Sequence, residues 1–122
     1  MTSIAISDDE IKKSFVESQA KMIEFQRQLN SVRSQIQAKD HERRAAMLTL
    51  REVSLFENVP LYKAVGRMFL KDTKENILSG LNSKIESSKD EVAKLEKNAE
   101  YFDRNLKDVE SSLRELLQKR YE

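Results

Sequence analysis

The chain has no cysteine and no tryptophan, one histidine, one proline and two glycines in 122 residues. Without cysteine there are no disulfides, no thiolate chemistry and no Cys-based zinc sites, which is compatible with a reducing compartment. His41 stands alone in the stretch Lys39 to Arg44, with no second His or Cys to complete a metal site, and reads as a solvated surface residue. With Gly66 and Gly80 the only glycines, no phosphate-cradling glycine loop is possible, and no cofactor is expected. No apolar run is long enough to span a bilayer, and the first ten residues lack the basic start and apolar core of a leader, so a cytoplasmic protein without membrane contact is expected. Neither sign of charge is in excess: 22 Lys and Arg face 21 Asp and Glu, a net charge of +1. The densest basic cluster, Arg43-Arg44, adjoins Asp40 and Glu42, so no nucleic-acid footprint is present. Carboxylate pairs such as Asp8-Asp9 and Asp90-Glu91 have basic neighbours and are explained by capping and solvation, so no enzyme is expected.

What remains is the composition of long helices, 35% charged and 39% apolar. The regular apolar spacing sets it apart from a disordered chain of similar charge. Ser7-Asp8-Asp9-Glu10 has the form of a capping box, which predicts a first helix over about 8–57. Positions 11, 15, 18, 22, 25, 29, 32, 36, 39, 43, 46, 50 and 53 alternate in steps of four and three, and ten of these thirteen are apolar. That period predicts a helix wound against a partner helix along a narrow seam, interrupted at Ser18, Lys39 and Arg43. Towards its end Val53, Leu55 and Phe56 broaden the apolar surface, and Pro60 forces the helix to stop near Glu57 or Asn58. Asp72-Thr73-Lys74-Glu75 supplies a second cap, predicting a helix over about 73–120. Its seam runs through 78, 81, 85, 88, 92, 95, 99, 102, 106, 109, 113 and 116, with Ser88 the single polar member.

Between the helices Leu61 to Lys71 reads as a β-hairpin, with the turn at Val65-Gly66, where glycine tolerates positive φ. Met68 and Leu70 fall on one face and Phe69 on the other, so both faces call for burial. A two-stranded hairpin is marginal alone and leaves both edges unpaired, which points to partner strands from outside the chain. The expected fold is all-α dominated: one domain, 1–122, made of a long antiparallel two-helix coiled coil with one central β-hairpin. At about 1.5 Å per residue each arm would be roughly 70 Å long. Facing positions should have residue numbers adding to about 132, which sets Arg43 opposite Ser88. That weakened layer reads either as a register-fixing polar layer or as a flex point.

The run Tyr62 to Leu70, followed by Lys74-Glu75 and Ile77, resembles the hairpin of the β-type prefoldin subunits. The resemblance extends to the total length, the start Ile11 to Phe15, the single hairpin and the two matched arms; Pro60 departs from the pattern. It implies a heterohexamer of two α-type and four β-type subunits whose hairpins join into a double β-barrel platform carrying six arms. Tyr62, Val65, Gly66, Met68, Phe69 and Leu70 would then serve subunit assembly. It further implies an ATP-independent chaperone that holds unfolded clients such as actin and tubulin between the arm tips and passes them to the cytosolic group II chaperonin. Ile11, Phe15, Val16, Leu113, Leu116, Leu117 and Tyr121, with Ile4 and Ile6, would form the client-binding tip. Ile11, Phe15, Leu113 and Leu116 lie in the seam, and closure of the coiled coil explains them equally well; Val16 and Leu117 lie beside it. The alternative is a coiled-coil scaffold or tethering subunit that links partners without holding unfolded protein.

Overall fold

The computed structural model describes residues 8–121, and side chains for 8–119. Helix α1 is Asp8–Leu55, strand β1 Leu61–Val65, strand β2 Met68–Asp72 and helix α2 Lys74–Tyr121. The helices are equal in length at 48 residues each. Ser7, the expected cap of α1, lies outside the described residues; Asp8, Asp9 and Glu10 do occupy the first turn, where carboxylates favour the positive helix end. The chain divides into two compact units, one of Met1–Ser34 with Glu96–Glu122 and one of Gln35–Leu95.

In the first unit the seam positions of α1 and α2 are all buried or half-buried, with Leu29 the most deeply enclosed at 2% exposure. Phe25 and Phe102 meet with ring centroids 6.5 Å apart, and Tyr101 stands edge-on to Phe102 at 5.4 Å. Burial here is confined to a stripe because two helices can shield only the surface between them.

In the second unit the seam again holds: Ala46 and Ser88 are buried, and the remaining seam positions from 36 to 53 and from 78 to 95 are half-buried. The polar layer is built differently from the expected one. Arg43 turns back along its own helix to Asp40, its Nη2 2.6 Å from Oδ1, and Arg44 takes the other carboxylate oxygen at 3.0 Å. Lys39 crosses to Glu91 at 3.0 Å, and its ammonium is held above the ordinary value of 10.5, first by that hydrogen bond and then by the charge of Glu42. The contacting pairs Lys39 with Glu91 and Phe25 with Phe102 add to 130 and 127, close to the expected value of about 132.

α1 ends at Leu55, two residues before the expected Glu57. Phe56 N–H bonds back to Val53 O at 3.2 Å, and Asn58 takes φ 55°, the left-handed conformation that ends helices and that asparagine tolerates best after glycine. The turn of the hairpin is Gly66-Arg67, one residue later than expected, with Val65 paired to Met68 as the last rung. A two-residue loop with positive φ only at its first position is of type II′, so glycine must occupy that position, and Val65 is thereby drawn into the ladder.

Candidate functional site

The register of the hairpin sorts its side chains. Leu61, Lys63, Val65, Met68, Leu70 and Asp72 share one face, and Tyr62, Ala64, Phe69 and Lys71 share the other. Met68 and Leu70 thus stand together with Phe69 opposite, as the alternation predicts. Only Leu61 and Asp72, at the helix-proximal end, are half-buried; every residue from Tyr62 to Lys71 is exposed. Exposure reaches 73% for Phe69 and 63% for Met68, values that water disfavours for such side chains. The sheet has two strands, so one edge of each is unpaired. Backbone donors and apolar faces are both left open, which is the requirement for adding strands from other chains.

The hairpin is held to the helices by polar contacts that the sequence pattern did not reveal. Thr73 caps α2: its Oγ1 accepts from the N–H of Asn76 at 3.2 Å, and its carbonyl accepts from Ile77. Asn76, rather than Glu75, is therefore the residue three places into the helix, and its amide donates to Asp72 Oδ1 at 3.0 Å. Together with the N–H of Thr73, that bond holds the Asp72 carboxyl below its ordinary value of 3.8. Lys74 sends its ammonium to the carbonyls of Ser54 and Phe56, at 3.0 and 2.8 Å. α1 has no basic residue in its last turn, so the cation that satisfies its carbonyl end comes from the start of α2. Nothing local marks Lys74, since its partners lie 18 and 20 residues away.

The expected tip residues lie in the first unit. Ile11 is 7% exposed, and Phe15, Leu113 and Leu116 are half-buried in the seam. Val16 and Leu117 are exposed at 64% and 41%. Ile4, Ile6 and the side chain of Tyr121 lie outside the described residues. Ile23 was missed: seven residues after Val16, on the same face of α1, it is equally exposed at 64%. Near the other end of α1, Met47 and Leu48 extend the exposed apolar surface expected at Leu55 and Phe56. Both additions were open to a search for residues seven apart off the seam. Among the described residues no group of three or more His, Asp or Glu is placed to hold a metal ion.

The sequence profile of the prefoldin subunit family matches residues 16–120. The chain belongs to the prefoldin subunit family. It is 36% identical to prefoldin subunit 1 of Arabidopsis thaliana over 114 residues, covering 93% of this chain and 89% of that one. Prefoldin subunit 1 of Tetraodon nigroviridis is 37% identical, with 95% and 96% covered, and that of Homo sapiens 35%, with 93% of each covered. The fold matches the crystal structure of the prefoldin beta subunit from Thermococcus strain KS-1, with a TM-score of 0.77 at 24% identity over 83% of this chain and 90% of that one. Two long helices joined by one antiparallel hairpin are thus the prefoldin β-type fold. The chain is a prefoldin chaperone subunit, and its partners include other prefoldin subunits. Among the described residues no helix is long and apolar enough to cross a membrane.

Proposed function

We propose that the chain joins a cytoplasmic hexamer of two α-type and four β-type prefoldin subunits through its hairpin, and that this hexamer holds unfolded proteins without ATP or any chemistry of its own. Clients of the class of actin and tubulin are gripped at the helix ends and delivered to the group II chaperonin. The observation that carries this reading is the hairpin, apolar on both faces, exposed throughout its outer part and unpaired at both edges. Support for the client site comes from Val16, Ile23 and Leu117, apolar residues that the two-helix seam leaves in water. The test is to reconstitute the complex with and without this chain and follow light scattering of denatured actin after dilution. Suppression that depends on the chain is expected. A complete hexamer that suppresses nothing would leave only a scaffolding role.

A further inference from the structure

A cavity of about 380 Å³ opens in the second unit beside β1, between the hairpin and the two helices. Its apolar wall is made by Val53, Leu61, Ile77 and Leu81, all half-buried, and its polar lining includes Asp72 and Lys84. Gly80 lines it too, in the interior of α2 and with ordinary helical φ. Glycine is a poor helix former, and inside a helix it permits a close approach or an unusual backbone. Neither holds within this chain: a Cβ built on Gly80 meets nothing within 4 Å. Gly80 is exposed, so the space beside it is open to an atom from outside the chain.

We infer that this cavity is a socket for an apolar side chain of the neighbouring prefoldin subunit. The inference rests on the reading of the hairpin as the assembly element, and it adds a helix-borne anchor to the strand contacts. The occupant follows from position and charge. Three consecutive residues of β1, Leu61 to Lys63, line the cavity together with Asp72 of β2, so it lies against the helix-proximal end of the hairpin, next to the strands on which those of another subunit would be laid. Lys84 makes no ion pair among the described residues and favours a carboxylate beside the entering side chain. A filled apolar pocket ringed by polar groups is the usual form of an interface hot spot.

Gly80→Leu fills the socket from within and, unlike most changes at an interface, should not harm the chain that carries it. The full-length variant is melted alone by circular dichroism, then competed against fluorescently labelled wild-type chain for incorporation into the complex with the other subunits. The expected result is an unchanged or higher melting temperature with at least a tenfold loss in competition, and a smaller loss for Gly80→Ala. Equal competition, or a lower melting temperature of the chain alone, would overturn the inference. A small molecule retained by the isolated chain, seen as added mass in native mass spectrometry, would assign the cavity to a ligand and overturn it as well. Met68→Asp with Leu70→Asp is run in parallel. If that pair competes normally, the hairpin reading itself fails; if it is excluded while Gly80→Leu competes normally, only the socket fails.

Discussion

Individual residues at the hairpin and its junctions carry constraints that can be tested one at a time. Gly66 has φ +61° and open space where a Cβ would stand, so any cost of replacing it is conformational and not steric. Gly66→Val is expected to destabilise the chain by roughly 1–2 kcal/mol, the cost of a left-handed L-residue, and Gly66→Asn by less, as measured by thermal unfolding. Equal costs for the two would contradict a backbone origin. Asp72 gives a pH signature. Its carboxyl is held below 3.8 in the folded chain, first by the Asn76 amide and then by the Thr73 N–H, so the folded state binds that proton less readily than the unfolded one. Its contribution is therefore present above pH 3.8 and disappears as the pH falls through the lowered folded value. The gap in melting temperature between wild type and Asp72→Ala should be steady near neutrality and narrow in acid. A gap that does not vary with pH would show that Asp72 acts through shape alone.

Among the elements, the two helices depend on a seam one side chain wide, and stability is concentrated where that seam is best covered. Leu29, at 2% exposure, is the deepest side chain, and Leu29→Ala should cost about 2–5 kcal/mol in denaturant unfolding. A cost under about 1 kcal/mol, the range of surface changes, would mean that the helices do not rely on this layer. The polar layer around Ser88 is bound by Lys39 and Glu91 across the helices and by Arg43 and Asp40 along one of them. Such half-buried pairs are screened in part by salt, which makes this layer a place where ionic strength acts on the coiled coil. The hairpin, by contrast, presents apolar faces to water. What the helices satisfy between themselves, the strands leave open.

At the scale of the whole molecule, assembly and the proposed client holding should be separable, because the hairpin belongs to one compact unit and the start of α1 and the end of α2 to the other. Val16→Ser with Leu117→Ser alters exposed residues beside the seam and leaves every seam position as it is. Each removes an apolar side chain worth about 1.5–3 kcal/mol when buried, so client release from the reconstituted hexamer should accelerate while its melting temperature holds. In the proposed hexamer other subunits would share the load, so the off-rate of a labelled client is the sensitive measurement rather than final aggregation. Unchanged release with lowered stability would assign Val16 and Leu117 to packing of the helix ends.

The helices and their contact stripe were determined by the sequence, because a period of four and three leaves no other face on which so many apolar residues can be covered. Every seam position from Ile11 to Val53 and from Leu78 to Leu116 is buried or half-buried, the polar ones included. The hairpin was equally legible, since alternation across a strand fixes which residues share a face once Gly66 marks the turn. Tertiary structure decided what sequence periodicity does not encode. Arg43 took a carboxylate on its own helix, Asp40, since a charged partner within reach outweighs a neutral one. Lys74 reached α1, and Gly80 came to line an open cavity, only after the chain had turned back on itself. Contacts between residues far apart in sequence leave no local pattern, which is why they became visible only in the folded chain.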